Sequence, residues 1–377
     1  MASLYLHVPF CRKKCPYCDF FSVPGHLSSL ESYPALLMRH LDLAADGGEW
    51  GGPIETLFFG GGTPSLLSPE SIGEILARAE DRFGFAADVE ISLEANPGTL
   101  TAASLAGYRA AGVNRLSLGV QSLDPRKLEL LGRIHSPEEA KDAATWARRA
   151  GFANLSCDVM FALPGQTAGA LQAELDRFLD LSPDHVSAYG LTVEEETPFY
   201  HLHRAGGLDL PDEDRYAELF CLVDERLGRE GFRHYEISNY ARPGRECRHN
   251  LRYWRRRSYL GVGAGAHSFC GRGWGERRAV PADLAPYTAA LSRGEDPAQT
   301  LETFDRRGAM AETLYLGLRT AEGVDEGEFR RRFSAGVEET FPEALRRAGD
   351  RLVLRDGRWR MDLEGWLLFD HIITAFL

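Results

Sequence analysis

Tyr5-Leu6-His7-Val8-Pro9-Phe10-Cys11-Arg12-Lys13-Lys14-Cys15-Pro16-Tyr17-Cys18 is the stretch on which the reading of this chain turns. A short apolar run, Leu4–Val8, leads directly into three cysteines spaced C-x3-C-x2-C. Thiolates hold iron–sulfur clusters, and three protein ligands on a four-iron cubane leave one iron open. A loop this short wraps one cluster without a distant cysteine. Arg12, Lys13 and Lys14 place positive charge beside it, which favours thiolate over thiol. The competing reading is structural zinc, which takes four closed ligands, commonly as two spaced pairs. No second pair is present, because Cys157, Cys221, Cys247 and Cys270 are scattered. The expected metal ligands are therefore Cys11, Cys15 and Cys18, around a 4Fe–4S cluster.

Outward from that loop, short runs rich in β-formers alternate with segments of helical period. The strands expected are Leu4–Val8, Thr56–Phe59, Val89–Ala95, Arg115–Val120, Leu155–Phe161 and Val186–Leu191. Helical spacing marks Tyr33–Leu43, Ser71–Phe83, Ser104–Ala111, Pro137–Ala150, Leu171–Leu181 and Ala217–Glu230. Ser68 and Ser136 precede Pro-Glu pairs and read as N-caps, while Gly112 and Gly151 read as helix stops. Strand–helix alternation predicts a parallel sheet, as an open barrel or as a doubly wound sheet. In either, the working end lies where strands finish. Residues 235–275, rich in Gly, Arg and aromatics, show no period and read as irregular. From Phe304 onward the pattern is helical, then Arg351–Leu354 and Arg358–Met361 flank Asp356-Gly357 as a hairpin. The domains expected are 1–235, 236–300 as an irregular connection, and 301–377 as a small helical, winged-helix-like unit.

The chain has 377 residues, a formal net charge of −12 and 44% hydrophobic residues. That balance argues against a nucleic-acid partner, which favours a basic face. No run of about 18 apolar residues is present, so no transmembrane helix is expected; peripheral membrane contact stays open. The start lacks a basic region followed by a long apolar core, so a cytoplasmic location is expected, with seven reduced cysteines.

Several further segments end strands. Phe58-Phe59-Gly60-Gly61-Gly62-Thr63-Pro64 lets backbone approach a ligand closely. Read alone, it is equally a tight turn. Glu94-Ala95-Asn96-Pro97 offers a carboxylate to an ammonium or to hydroxyls, or else a helix cap. Gln121, Arg133 and Asp158 read, each by itself, as structural polar residues.

Together with the cysteine loop, these segments resemble the radical SAM superfamily. The chain is similar in particular to the coproporphyrinogen III oxidase-like (HemN/HemW) branch, over nearly its whole length. The resemblance implies an open, partial (β/α)6 barrel rather than a doubly wound sheet. It also implies S-adenosylmethionine (SAM) chelating the open iron through its amino and carboxylate groups. Gly61, Gly62 and Thr63 then match the motif for the methionine part of SAM. Tyr5, Tyr17, Glu94, Gln121, Arg133 and Asp158 match other SAM-contacting positions. Leu163-Pro164-Gly165-Gln166-Thr167 matches a further segment, read as a turn opening a helix.

Two features set a direction within the branch. The oxidase usually carries a further cysteine just after the triad, and a long extension before it. Here Asp19-Phe20-Phe21 follows Cys18, and the triad begins at residue 11. His249-Asn250-Leu251-Arg252-Tyr253-Trp254 reads H-N-x-x-Y-W, which resembles the motif associated with heme binding on the heme-chaperone side. His249 is the expected heme ligand, with Arg255, Arg256 and Arg257 placed for the propionates. The alternative is an aromatic loop over the barrel with His249 hydrogen-bonded inside. His267 is a weaker candidate contact. The function expected is heme binding and delivery to an acceptor protein, supported by cluster and SAM. The alternative is oxygen-independent coproporphyrinogen III oxidation, against which the two departures argue. Whether the chain catalyses a reaction, and which electron donor serves it, the sequence leaves open.

Overall fold

The computed structural model describes residues 3–25 and 27–377. The six β-rich runs become parallel strands: β1 (Ser3–Val8), β2 (Ile54–Gly61), β3 (Phe85–Ala95), β4 (Arg115–Gln121), β5 (Leu155–Phe161) and β6 (His185–Gly190). They pair in that order, with Leu6 beside Phe59, Leu57 beside Ile91, Leu93 beside Leu116 and Cys157 beside Val186. Parallel neighbours need long crossovers, and helices Tyr33–Asp46, Pro69–Phe83, Ala102–Ala111, Pro137–Arg149 and Ala168–Leu179 supply them. Helix 69–83 shows why each one packs. Ile72, Ile75, Leu76 and Ala79 recur at helical spacing and are its buried positions. Ser68 accepts the Ser71 N–H at its start, and Ser136 with Glu139 forms a reciprocal capping box further on. Gly112 ends helix 102–111 at φ 114°, a conformation costly for any residue with a side chain.

The result is an open, partial barrel whose sheet continues past both edges. Tyr259–Val262 pairs parallel with β1, placing Leu260 beside Leu4. His267–Cys270, Glu276–Ala279 and Gln299–Thr303 then follow as antiparallel strands. At the other edge Asn239–Ala241 pairs antiparallel with β6, and Arg233–Glu236 pairs with it in turn. The stretch read from sequence as irregular therefore carries strands and a helix, Arg248–Trp254. Its strands run only three to five residues, too short for a period of two to register against glycines and arginines.

The carboxy-terminal helices include Arg306–Gly317, Glu326–Phe333 and Pro342–Ala348. The hairpin pairs Arg355 with Arg358 across Asp356 (φ 49°) and Gly357 (φ 74°), both in the left-handed region that a two-residue turn of this kind needs. Val324–Asp325 adds a third strand to it. Ile237 N–H donates to Arg319 O and Ala321 N–H to Tyr235 O, each at 3.0 Å. One apolar core runs from Leu4 and Leu57 through Leu314 to Phe341 and Trp366. Among the described residues no helix is long and apolar enough to cross a membrane.

Helix 248–254 has no side-chain cap of its own. Its free N–H groups are met from β3, where the buried Glu90 accepts from Arg248 N at 3.1 Å and His249 N at 3.0 Å. A carboxylate there satisfies donors that a helix start leaves unpaired and opposes the helix dipole. Glu90→Ala is expected to lower stability by about 2 kcal/mol, read as a shift in the urea midpoint. A change below about 0.5 kcal/mol would mean that the helix is held by packing alone.

Candidate cluster and cofactor site

The cysteine loop leaves the carboxyl end of β1 and is pinned on several sides. Phe199 N–H donates to Pro16 O at 3.0 Å, and the Tyr17 ring lies 6.3 Å from that of Phe199. Cys18 N–H closes a turn on Cys15 O at 3.2 Å. The glycine run at the end of β2 packs against the same loop. Gly62 N–H donates to Val8 O at 2.9 Å, and Thr63 Oγ1 donates to Cys11 Sγ at 3.5 Å. A Cβ on Gly62 would lie 2.7 Å from Phe10 O and 3.0 Å from Cys11 Sγ. Gly61, at φ 111°, passes the His7 ring, where a Cβ would lie 2.7 Å from the imidazole. No side chain fits at either position.

Arg133 reaches the loop from the other side. It donates to Cys15 Sγ at 3.6 Å and to Gly119 O at 2.6 Å. Its Nε is buried without a partner, so the guanidinium keeps a donor for an anion. A Cβ on Gly119 would meet both the Arg133 guanidinium and the Gln121 amide at 3.2 Å, which is why these two groups can share one spot above β4. Among the described residues no three His, Cys, Asp or Glu side chains converge on a single ion. Cys11, Cys15 and Cys18 share one short loop, close enough for Cys11 and Cys15 to act on Cys18, and all three thiols are free. The donor set thus fits an anionic cluster: three thiols, a guanidinium with an unused donor, and backbone stripped of side chains.

Inside the barrel lies a cavity of about 170 Å³, lined in part by Tyr5, Glu94, Arg115, Asp158, Tyr189 and His249. Burial, then the neighbouring Asp158, push Glu94 up to about 8. Burial likewise lifts Asp158 to about 6, against the pull of Ser187, Arg115 and Ser117. Ser117 Oγ donates to Asp158 at 3.3 Å. His249 is fully buried, and burial followed by Arg252 and Arg115 holds it down to about 3, so it is neutral. Its Nδ1 lies 2.8 Å from Thr56 Oγ1 and its Nε2 lies 2.7 Å from Tyr253 Oη.

Of the residues singled out from sequence, Tyr5, Glu94, Asp158 and His249 meet in this cavity. Cys11, Cys15, Cys18, Tyr17, Gly62, Thr63 and Arg133 meet at the loop, and Gln121 joins Arg133 over Gly119. Tyr17 packs on Phe199 and hydrogen-bonds with Cys15 and Arg133, so it stands at the loop rather than in the cavity wall. His267 is exposed on its strand and lines none of these spaces. Sequence reading missed Arg115, Ser117, His185, Ser187 and Tyr189, all in the cavity wall. Their signal was present: Arg115 and Ser117 on β4 and His185, Ser187 and Tyr189 on β6 fall at alternate positions and mark an inward face lined with polar groups.

Comparison with known proteins follows this geometry. Residues 5–178 match the radical SAM superfamily model, and residues 304–368 match the HemN C-terminal domain model. The solved structure of coproporphyrinogen III oxidase (HemN) from Escherichia coli superposes with a TM-score of 0.84 at 23% identity, covering 100% of this chain and 89% of that one. The fold is thus that of a radical SAM protein, a class that implies a 4Fe–4S cluster and SAM. The heme chaperone HemW of Bacillus subtilis is 34% identical over 100% of this chain and 99% of its own length. That of Escherichia coli is 43% identical over 70% of this chain and 69% of its own. The chain belongs to the HemW family.

Two measurements test the site. Gly62→Val is expected to lower iron incorporation on anaerobic reconstitution well below the four irons per chain of a complete cubane, because its side chain meets Phe10 and Cys11; full loading would show that the loop yields. Glu94 keeps a proton in the folded chain that the unfolded chain gives up above about pH 4.5, so its contribution to stability falls as pH rises toward 8. A cationic ligand entering the cavity should expel that proton. Titration of SAM at pH 7 should therefore release protons, seen as calorimetric heats that differ between buffers of different ionisation enthalpy, and Glu94→Gln should abolish the difference. Buffer-independent heats in the wild type would make Glu94 a permanently neutral acid.

Proposed function

We propose that this chain binds heme and passes it to an acceptor protein, with a 4Fe–4S cluster on Cys11, Cys15 and Cys18 and SAM beside it. The observation that carries this is similarity along the whole chain to proteins named heme chaperones. Asp19-Phe20-Phe21 after Cys18, in place of a further cysteine, argues in the same direction. The cluster supplies an open iron for the amino and carboxylate groups of SAM. The chain's own part is positional. Gly61 and Gly62 keep the approach clear, Arg133 offers its unused donor, and Gln121, Tyr5, Tyr17, Thr63, Glu94 and Asp158 surround the ligand. A cytoplasmic location suits the seven free thiols.

The H-N-x-x-Y-W helix stands between two spaces. His249 and Tyr253 face the inner cavity of about 170 Å³, below the ~300 Å³ of small ligand pockets. On the other side, Trp254, Arg255, Arg256, Arg257 and Phe333 line a groove of about 400 Å³ against the carboxy-terminal unit. The propionates of heme suit the exposed Arg257, whose nearest carboxylate, Glu328, is 3.6 Å away. His249 serves the iron only once the Tyr253 hydroxyl leaves Nε2. One heme touching both His249 and Trp254 therefore requires this helix to move.

Anaerobic reconstitution followed by heme titration and by coproporphyrinogen III turnover tests the reading. The wild type is expected to bind heme and to form no protoporphyrinogen. His249→Ala should weaken heme at least tenfold, roughly 1.4 kcal/mol, with cluster content unchanged. Loss in Trp254→Ala and Arg257→Glu but not in His249→Ala would return His249 to a structural role. Robust turnover by the wild type would overturn the chaperone reading.

A further inference from the structure

The groove between the H-N-x-x-Y-W helix and the carboxy-terminal unit carries positive charge that its own acids do not meet. Among the described residues, five arginines and three acids line it. Glu322 pairs with Arg255 at 2.7 Å and with Arg358 at 2.9 Å, and Asp325 pairs with Arg358 at 3.1 Å. Those two acids and two arginines balance one another. The remainder of the charge comes from Arg256, Arg257 and Arg332. Arg256 is bound to Glu312 through Nε, yet its Nη1 is buried without a partner. Arg257 meets Glu328 only at 3.6 Å, with both side chains more than half exposed. Arg332 makes no ion pair among the described residues and lies over the Phe333 ring, 5.4 Å from its centroid.

Neighbouring guanidiniums in a half-buried groove are costly without an anion. Burial and then Arg257 weaken the hold of Arg332 on its proton, against the pull of Glu328 and Glu312. Burial does the same at Arg256, opposed by Glu312, and Arg332 adds to it. A ligand with two negative groups at one edge relieves this repulsion. Beside the arginines the wall is apolar, formed by Trp254, Val324, Phe329 and Phe333. The space of about 400 Å³ falls within the ~300–1,000 Å³ of ligand pockets. Two carboxylates on one edge, with a broad apolar plane behind them, are the chemistry of a dicarboxylic porphyrin. A fatty acid offers one carboxylate and no plane. His249 does not line this groove; it stands in the inner cavity with both ring nitrogens bonded.

We propose that the groove is a binding site for dicarboxylic porphyrins in its own right, with one propionate on Arg257 and the other on Arg332, so that the porphyrin is held before its iron meets His249. The proposal rests on the heme reading and divides it into two steps. The first, anchored by arginine, selects for the edge carboxylates and ignores the metal. The second is capture of the iron by His249 once the helix moves. No covalent bond is made or broken in the first step.

Iron-free protoporphyrin IX is the probe, because it keeps the ring and both propionates but offers His249 nothing to ligate. Its fluorescence is titrated against reconstituted wild type, His249→Ala, Arg257→Glu/Arg332→Glu and Arg347→Glu, the last an exposed arginine of the carboxy-terminal unit outside the groove. Urea midpoints are compared first, so that unfolding is not read as lost affinity. The wild type and His249→Ala are expected to bind protoporphyrin IX equally, and the heme affinity of His249→Ala should fall to that of protoporphyrin IX. The double reversal should weaken both porphyrins at least about tenfold, and Arg347→Glu should weaken neither. The wild type should bind protoporphyrin IX dimethyl ester at least about tenfold more weakly than the free acid, a comparison that stands even where the double variant does not fold. Heme bound through His249 with protoporphyrin IX refused, or acid and ester bound alike, would overturn the groove site and leave the heme reading intact. Displacement of protoporphyrin IX by equimolar laurate would make the groove a general site for anionic amphiphiles and overturn the choice of ligand. Binding of neither heme nor protoporphyrin IX by the wild type would remove the heme reading and this proposal with it.

Discussion

The close passage of the Gly60–Gly62 backbone beneath the cysteine loop is the constraint on which the site depends. Side chains at 61 or 62 would enter the His7 ring or the loop's own backbone and thiol. With none there, the end of β2 and the end of β1 come together, and Gly62 N–H reaches Val8 O. Glycine weakens a strand through its chain entropy, so three in succession at a strand end are retained for what they admit. They let the cysteine loop and the end of β2 share one edge of the barrel.

The barrel interior obeys a second rule, that buried charge is tolerated only with partners. Glu94, Asp158 and Arg115 face one small space, and burial alone would neutralise both acids. Arg115, Ser117 and Ser187 draw Asp158 part of the way back, whereas Glu94, beside a second carboxylate, remains protonated at neutral pH. The two acids therefore present different faces to an incoming molecule, one a donor and one nearer to ionisation. An inward polar face on parallel strands, where apolar packing would be the more stable choice, marks where the fold gives up stability for ligand contact.

The H-N-x-x-Y-W helix links this interior to the carboxy-terminal unit. Glu90 on β3 holds its start, His249 and Tyr253 close the cavity, and Trp254 with the following arginines lines the groove on the other side. A change on one side of so short a helix is felt on the other. Its amino-terminal hydrogen bonds come from a strand 158 and 159 residues earlier in the chain, so it has little means to form alone.

The sequence by itself determined the parallel strand–helix order, the caps at Ser68 and Ser136 and the hairpin at Asp356-Gly357, because each rests on local spacing or on a single residue's backbone preference. The radical SAM family was legible through its motifs for the same reason. Tertiary structure alone decided that 235–303 builds both edges of the sheet, since strands of three to five residues acquire their identity only from a neighbour. It alone set Glu90 as the cap of a distant helix and packed Tyr17 on Phe199. It alone closed both nitrogens of His249, because hydrogen-bond partners such as Thr56 are chosen by proximity in space, which no spacing along the chain encodes.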